Sequence, residues 1–220
     1  MRVNEIFSSI NGEVSSQHQG SLCTFIRLSG CDFAKHPCKW CDTPYALSSK
    51  SGKNMTVGKI IAEVEKIGNK NIVITGGEPL RQDVGVYNLC HTLGGRYDIS
   101  IETNGSFPIP FPFALYVRWV MDYKTLSSGN HTFMKYENFR NLTEKDFIKF
   151  VISDKKDFLF AMGVYKVLLS KYFLQAKVAF SPCQPGLSPE TLEQWMQKDP
   201  LLKSKGAVLS LQLHKIIGVK

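Results

Sequence analysis

The sequence lacks the features that would assign it to a membrane or secreted class. Its 220 residues contain no run of about 18 apolar residues, so we expect no membrane span. The N-terminus, MRVNEIFSSINGEV, has no long apolar h-region, so we expect no secretory signal. These absences predict a cytoplasmic protein with reduced cysteines, which favours metal binding over disulfide bonds.

The sequence also lacks an arginine-rich block and a basic stripe interleaved with aromatic residues. Its net charge of +8 and pI of about 9.1 are compatible with a nucleic-acid partner or an anionic small ligand. The lysines, however, are dispersed along the chain. This distribution favours a solvated basic surface, and we expect no direct contact with nucleic acid.

Cysteine is scarce, yet half of the six cysteines lie together in the spacing Cys31-x6-Cys38-x2-Cys41. A Cys-x-x-Cys pair can bring two thiolates to one metal ion or iron–sulfur cluster. A closed structural zinc site takes four protein ligands, whereas three leave one metal position open. The residues alone favour an open metallocluster. They leave two alternatives, a zinc site completed by His36 or a distant residue, and a redox-active cysteine pair.

Predicted strands and helices alternate along most of the chain, which is typical of a parallel sheet with crossover helices. The strands are predicted at 22–29, 71–75, 97–103, 116–121, 147–152, 176–180 and 207–213. The helices are predicted from a Thr56 cap to Gly68, around 84–93, up to about residue 172, and from a Ser188 cap to about 196. A closed eight-stranded barrel needs about 250 residues. We therefore predict an α/β fold with the form of an incomplete TIM-like barrel, as a single domain over 1–220.

Three further details complete this prediction. Residues 1–20 are interpreted as a short extended segment followed by a polar loop, and PIPFPF at 108–113 as a connector that cannot be helical. Residues 125–144 are predicted to be irregular, with short helical turns. The second helix is predicted to bury Val84, Tyr87, Leu89 and Leu93.

Polar motifs follow the predicted strands, and the carboxyl ends of parallel strands are where α/β folds build their sites. The cysteine loop follows the first predicted strand, TGGEP at 75–79 the second, and ETNG at 102–105 the third. Glycines in TGGEP would let a ligand approach the backbone, and Glu78 could accept a hydrogen bond from an ammonium group. ETNG could contact ribose hydroxyls or an adenine edge. Either motif could instead be a simple turn.

Together these motifs resemble the radical S-adenosylmethionine superfamily, whose usual loop is Cys-x3-Cys-x2-Cys. The six-residue gap DFAKHP departs from that pattern, and we predict a small bulge that still brings Cys31 to the cluster. Most of the chain, 4–218, is similar to the 7-carboxy-7-deazaguanine synthase family within this superfamily. The similarity lies in EIFSSINGE, CDTPY, MDYKTLSSG, VISDKKDFLFA and LQLHKIIG.

The resemblance implies a carbon–nitrogen lyase of queuosine and 7-deazapurine biosynthesis. Its reaction contracts the ring of 6-carboxy-5,6,7,8-tetrahydropterin to 7-carboxy-7-deazaguanine with loss of ammonia. The implied cofactors are a 4Fe-4S cluster, S-adenosylmethionine and Mg2+. The implied partners are a flavodoxin or ferredoxin as electron donor and a second copy of the chain in a homodimer. The alternatives are a glycyl-radical activating enzyme and, from a different class, a basic zinc-containing RNA-binding module.

The resemblance also implies roles for individual residues. Cys31, Cys38 and Cys41 would bind the 4Fe-4S cluster, and Thr43 would bind Mg2+. The S-adenosylmethionine side would be lined by Gly77, Glu78, Thr103, Asn104 and Lys124, with Asp122 also there or holding Lys124. The substrate side would comprise Asn11 (where the family usually has glutamine), Gly12, Glu13, Arg27, Thr75, Gln212, His214 and the terminal carboxylate of Lys220.

The chemistry of two of these residues agrees with the implied roles. The Glu13 carboxylate can accept hydrogen bonds from an aminopyrimidine face. The Arg27 guanidinium can bind the pterin carboxylate with two parallel hydrogen bonds, and it lies in an otherwise apolar strand. Gln212 and His214 are expected at the end of the last strand.

Overall fold

The computed structural model describes residues 1–110 and 117–220. In these ranges nine strands form one sheet in the order β3-β1-β2-β4-β5-β6-β7-β8-β9. They are β1 (Arg2–Ile10), β2 (Leu22–Leu28), β3 (Lys53–Asn54), β4 (Asn71–Gly76), β5 (Asp98–Thr103), β6 (Arg118–Tyr123), β7 (Phe147–Ile152), β8 (Lys177–Pro182) and β9 (Val208–Leu209). The first predicted residue of the strand at 116–121, and the second half of the PIPFPF connector, lie outside the described residues.

The sheet is open and mostly parallel. Strand β1 pairs antiparallel with β2 and β3, and all pairings from β2 to β9 are parallel. Strands β3 and β9 form the two edges, so the barrel is not closed. The predicted α/β fold with an incomplete barrel is confirmed.

The helices are α1 (Val57–Ile67), α2 (Asp83–Leu93), α3 (Lys155–Lys171), α4 (Pro189–Gln197), α5 (Pro200–Ser204) and α6 (Leu213–Ile217). The predicted N-terminal caps of α1 and α4, and the predicted end of α1, are confirmed. Thr56 Oγ1 accepts from the Lys59 amide at 3.3 Å, and Gly68 ends α1 in the left-handed region at φ 84°. Ser188 Oγ accepts from the Thr191 amide at 3.1 Å at the start of α4. The segment 125–144 contains short 3-10 turns, also as predicted.

The N-terminal segment is longer and more regular than predicted. Nine of its residues form β1, with Ile6 opposite Ile26 and the rings of Phe7 and Phe25 stacked 5.1 Å apart. The cysteine loop therefore follows the second strand. The polar residues within β1 obscured this strand, because most of it is only partly buried and depends on pairing with β2.

The predicted buried face of α2 is wrong in one position. Val84 is 70% exposed, whereas Val86, Leu89, Cys90 and Leu93 are buried. The helix begins at Asp83, so Val84 lies in its first turn, on the opposite side from the face that the sheet covers.

The end of the chain also differs from the prediction. Strand β9 ends at Leu209, and the following residues turn into the short helix α6. The Leu213 amide donates to the Gly12 carbonyl at 2.8 Å, and Gln19 donates to the Leu211 carbonyl. These contacts with the N-terminal loop replace the ladder hydrogen bonds of a longer strand, so Gln212 and His214 lie at the start of α6.

The buried core explains why the strands could be predicted from the sequence. Trp119, Tyr123, Phe150 and Phe180 are fully buried between the sheet and its helices. Strands covered on both faces read as nearly continuous apolar runs. Lys149 interrupts such a run in β7 (FIKFVI), and it points to the site described below.

In the part of the chain that the structure describes, no helix has the length and apolar character needed to cross a bilayer.

Candidate active site

A cavity of about 250 Å³ opens at the carboxyl ends of the parallel strands. It brings together predicted site residues from distant parts of the chain. The cavity lining includes Gly12, Glu13, Arg27, Cys31, Cys38, Cys41, Thr43, Thr75, Gly77, Thr103, Asn104, Asp122, Lys124, Gln212, His214 and Lys220. Two predicted site residues, Asn11 and Glu78, lie outside the lining that the described residues form. Asn11 is buried, and its amide donates to Ser15 Oγ, so it shapes the N-terminal loop.

The six-residue gap in the cysteine motif is an ordered insert. Asp32–Lys35 form a 3-10 turn, and Phe33 packs against Phe133 with ring centroids 5.5 Å apart. Asn104 Nδ2 donates to Asp32 Oδ1 at 2.9 Å and lies 4.0 Å from Cys31 Sγ. These contacts fold the insert outward while Cys31 stays at the cavity.

A buried asparagine supports the second cysteine. Asn130 Nδ2 donates to Cys38 Sγ at 3.5 Å and to the His36 carbonyl at 3.1 Å. Hydrogen bonds to ligand sulfurs tune iron–sulfur clusters. Sequence reasoning missed Asn130, because 92 residues separate it from Cys38 and it belongs to no recognised motif.

The three cysteines of the loop are compatible with the ligands of a 4Fe-4S cluster. Burial raises the pKa of the Cys31 thiol to about 12 and also raises the pKa of Cys38, and metal coordination deprotonates such thiols. Within residues 1–110 and 117–220, no three His, Cys, Asp or Glu side chains are arranged to hold one metal ion. A 4Fe-4S cluster takes its ligands on separate iron atoms, so thiols that face one cavity without converging fit it.

Glu78 is a buried carboxylate that joins the GGEP turn to the ETNG turn. Its Oε1 accepts from the Leu80 amide at 2.9 Å and from Thr103 Oγ1 at 2.8 Å, and its Oε2 accepts from the Asn104 amide at 2.7 Å. Burial raises its pKa to about 7. These contacts position Thr103 and Asn104. They differ from the predicted role of Glu78 as an acceptor for a ligand ammonium group.

Close packing leaves no room for a side chain at two glycines of the site. A methyl group on Gly77 would lie 2.3 Å from the Gly30 carbonyl oxygen, beside the cysteine loop. A methyl group on Gly12 would lie 1.9 Å from His214 Nδ1. Gly12 therefore lets the His214 imidazole approach the N-terminal loop, which explains how α6 reaches the cavity.

A buried ion network crosses the cavity floor. Lys149 Nζ pairs with Glu13 Oε2 and lies 4.0 Å from Asp122 Oδ2, which also accepts from Lys124 Nζ at 2.8 Å. Gln212 Nε2 donates to Glu13 Oε1 at 2.7 Å. Burial alone would lower the pKa of Lys149, but the Glu13 and Asp122 carboxylates outweigh it and raise that pKa. The network keeps Lys149 charged and gives Glu13 a fixed orientation.

Sequence reasoning missed Lys149 as a site residue. Lys149 is a lone cation inside an apolar strand, and the same feature identified Arg27 as a candidate site residue. Glu102 was also not predicted as a site residue, although the ETNG motif that contains it was identified. Thr75 Oγ1 donates to Glu102 Oε2 at 2.7 Å, and burial together with the Glu13 charge raises the pKa of Glu102.

Arg27 and Lys220 lie at the β1 side of the cavity and share one carboxylate. Arg27 Nε donates to Glu5 Oε1 at 2.8 Å, and Lys220 Nζ pairs with Glu5 Oε2. Both cations lie over the Phe7 ring. Arg27 Cζ is 5.7 Å and Lys220 Nζ is 4.6 Å from the ring centroid. Arg27 itself forms part of the cavity lining.

His214 reaches the cavity from α6. Burial lowers its pKa from the usual value near 6.5, so the imidazole is neutral at pH 7. The neighbouring Lys215 pairs with Asp42 at 3.1 Å and connects α6 to the CDTPY segment. This pair is about half exposed, so it contributes little stability.

Comparison with known proteins agrees with the geometry. The 7-carboxy-7-deazaguanine synthase of Clostridium acetobutylicum is 38% identical over 98% of this chain and 95% of its own length. The synthase of Koribacter versatilis is 34% identical over 99% of this chain and 96% of its own length. Residues 17–105 match the family described as a 4Fe-4S single cluster domain.

Two solved structures share the fold. The chain superposes on QueE from Escherichia coli with a TM-score of 0.72 and 19% identity, covering 97% of this chain and 94% of that one. Streptococcus suis SuiB bound to S-adenosylmethionine gives a TM-score of 0.59 and 13% identity, covering 83% and 48%. The near-full-length relatives favour the synthase family over both predicted alternatives. The chain belongs to the 7-carboxy-7-deazaguanine synthase family of radical S-adenosylmethionine enzymes.

Proposed function

We propose that the cavity at the carboxyl ends of the strands is where this chain converts 6-carboxy-5,6,7,8-tetrahydropterin to 7-carboxy-7-deazaguanine with loss of ammonia. The observation that carries this proposal is that one cavity gathers the cysteine loop, the strand ends and the start of α6. The single continuous sheet supports the prediction that 1–220 form one domain.

Cys31, Cys38 and Cys41 would hold the 4Fe-4S cluster at one end of the cavity. When bound, the cluster and S-adenosylmethionine supply the radical that takes a hydrogen atom from carbon 6 of the pterin. Gly77, Thr103, Asn104 and Lys124 line the cavity and would bind S-adenosylmethionine. The 4.0 Å approach of Asn104 to Cys31 supports this assignment.

The residues toward β1 and α6 would bind the pterin. The Arg27 guanidinium would hold the carboxylate, because its charge and planar donors match that group. The Glu13 carboxylate would accept from the aminopyrimidine, held in place by Lys149 and Gln212. Thr75, with its hydroxyl on Glu102, and the neutral His214 would complete the polar contacts.

A Mg2+ ion would be held by Thr43, whose hydroxyl lies 4.0 Å from Cys41 Sγ in the cavity wall. Mg2+ takes oxygen ligands and usually retains water and substrate oxygens in its shell. A substrate carboxylate near Thr43 would therefore share the ion, and the ion would neutralise the charge of that carboxylate.

Replacing Thr43 by valine is expected to weaken the activation by Mg2+. Valine keeps the shape of threonine but loses the oxygen, so we expect the Mg2+ concentration for half-maximal activity to rise about tenfold. Thr43→Ser is the matched control, because it keeps the hydroxyl. The measurement is product formation during a Mg2+ titration. An equal Mg2+ response in both variants would contradict the site.

The resemblance further supports a flavodoxin or ferredoxin as electron donor, a homodimer as the working state, and a cytoplasmic location. Sedimentation of the reconstituted enzyme tests the dimer.

An activity assay tests the proposed function. The chain, reconstituted with iron and sulfide without oxygen, is given dithionite, S-adenosylmethionine, Mg2+ and the carboxytetrahydropterin. We expect 7-carboxy-7-deazaguanine, and none when S-adenosylmethionine is omitted. Because the deazaguanine and ammonia together contain every atom of the pterin, the abstracted hydrogen is returned, and 5′-deoxyadenosine does not accumulate in proportion to product. Formation of 5′-deoxyadenosine without the deazaguanine would argue against the pterin as substrate. Bound zinc without the brown colour of a cluster would argue against the enzyme itself.

A further inference from the structure

We propose that Asn130 raises the reduction potential of the cluster at the cysteine loop, through its hydrogen bond to Cys38. The inference rests on the proposed function, because it requires a 4Fe-4S cluster bound by the three cysteines of the loop. Asn130 lies in the irregular segment 125–144, where the sequence predicted no site residue. Its contacts therefore have no explanation in the roles assigned so far.

The Asn130 side chain is a buried donor that faces the cysteine loop. The residue is 2% exposed. Its Nδ2 atom lies 3.5 Å from Cys38 Sγ and 3.1 Å from the His36 carbonyl oxygen, with a further contact of 3.4 Å to the Ser128 carbonyl oxygen. Carbonyl oxygens only accept hydrogen bonds, so the two carbonyls fix the NH2 group, and not the amide oxygen, on this side. An N–H group therefore faces the Cys38 sulfur.

The turn that carries Asn130 is held in place by its own hydrogen bonds. The Asn130 backbone amide donates to Ser128 Oγ at 3.0 Å, and Ser128 Oγ donates to the Thr125 carbonyl at 2.6 Å. Thr125 Oγ1 donates in turn to the Val151 carbonyl of β7 at 2.9 Å. Gly129 reverses the chain in the left-handed region at φ 80°. Because these bonds connect the turn to the sheet, the direction of the Asn130 side chain does not depend on a bound ligand.

The donor acts on one of the three cysteines. In the described ranges, Cys38 is the loop cysteine with the closest side-chain N–H donor. The other amide beside the loop, Asn104 Nδ2, lies 4.0 Å from Cys31 Sγ and donates to Asp32 Oδ1 at 2.9 Å. The effect of Asn130 can therefore be removed without changing the contacts of Cys31.

A hydrogen bond to a ligand sulfur favours the reduced form of an iron–sulfur cluster. Reduction adds one electron, from the 2+ to the 1+ state, and no bond or proton changes. Part of the added negative charge is carried by the thiolate sulfurs, and a nearby N–H dipole stabilises it. Burial strengthens this electrostatic effect, because little water screens the dipole. At a given donor potential, a larger fraction of the enzyme therefore carries a reduced cluster when Asn130 is present.

The test removes the donor and measures the reduction potential directly. Asn130→Leu keeps a side chain of similar size without an N–H group, and Asn130→Ser is a milder change with a shorter polar side chain. Asn138 provides the matched control. It is 1% exposed and donates to the Phe107 carbonyl at 2.8 Å, and its described side-chain bonds go to backbone groups and to no cysteine.

Each reconstituted enzyme is studied without S-adenosylmethionine or pterin. Dithionite and mediator dyes set a series of potentials, and the electron paramagnetic resonance signal of the reduced cluster is integrated at each one. Iron content shows that the cluster is present, and thermal unfolding measures stability.

For Asn130→Leu, we expect the ratio of reduced to oxidised cluster at the wild-type midpoint to fall about tenfold. For a one-electron couple this is a midpoint potential about 59 mV lower. Asn130→Ser should shift the potential in the same direction by a smaller amount. Asn138→Leu and Asn138→Ser should lose stability and keep the wild-type potential, because the Asn138 amide bonds to backbone groups.

Three results would overturn the inference. They are a wild-type potential in the Asn130 variants that hold a cluster, an equal fall in the Asn138 variants, or loss of the cluster from both Asn130 variants while the Asn138 variants keep it. The last result would assign Asn130 to holding the loop and not to the potential. The proposed function fails separately, when the wild-type chain binds no cluster or gives no deazaguanine with one.

Discussion

Replacing Cys31, Cys38 or Cys41 by alanine is expected to abolish the cluster and reduce product formation by at least about a thousandfold, because the hydrogen abstraction belongs to the cofactor and not to the protein. Each variant removes one of the three cysteine-loop thiols, all of which face the cavity. Two ligands do not hold a 4Fe-4S cluster firmly. Iron content, visible absorbance and 5′-deoxyadenosine formation measure the loss.

Cys183 supplies the matched control, since it also lines the cavity but lies outside the motif. Cys183→Ala is expected to keep its iron and its activity. The most informative variant is Cys31→Ala, because Cys31 precedes the unusual six-residue gap. If Cys31→Ala retained the cluster while Cys183→Ala lost it, the ligand set would be Cys38, Cys41 and Cys183.

Replacing Lys149 by methionine is expected to destabilise the protein and impair substrate binding together. Methionine fits the stem of the lysine but leaves Glu13 buried without its cation. Removing one partner of a buried pair costs about 3 to 5 kcal/mol in the free energy of unfolding. Because Glu13 also loses its fixed orientation, we expect product formation to fall about a hundredfold, with a higher KM for the pterin.

Two further variants separate the roles of Lys149. Lys177→Met makes the same change at an exposed position of the adjacent strand β8 and should change stability by no more than about 0.5 kcal/mol. The double variant Glu13→Gln/Lys149→Met removes both charges. It should recover most of the stability but not the activity, because glutamine replaces the carboxylate that faces the substrate. Urea unfolding and steady-state kinetics provide the measurements. Wild-type stability and KM in Lys149→Met would disprove the positioning role.

Several features of the site could be predicted because they are local in the chain. The Cys-x-x-Cys pair and the polar segments after apolar strands identify the cavity edge without any tertiary information. Arg27 was recognisable as a cation in an apolar strand, and Lys149 carries the same signal. The resemblance to a family then assigned roles to residues, such as His214, whose local pattern is uninformative.

Other features depend on contacts between distant segments. Glu78 faces inward because the ETNG turn supplies its donors, and Asn104 binds the insert as well as the cavity wall. The hydrophobic pattern after Gly206 favoured a long strand, yet hydrogen bonds to the N-terminal loop divert the chain into α6. No local propensity could report these partners.

The sequence by itself determined the alternation of strands and helices, the caps of α1 and α4, the three cysteines and the family. These follow from short-range hydrogen bonding, from apolar periodicity and from motif identity. The tertiary structure alone decided that Lys149 pairs with Glu13 across 136 residues and that Asn130 reaches Cys38 across 92. Such pairs form because the sheet brings strand ends and loops to one edge, where buried polar groups must find partners wherever they lie in the chain.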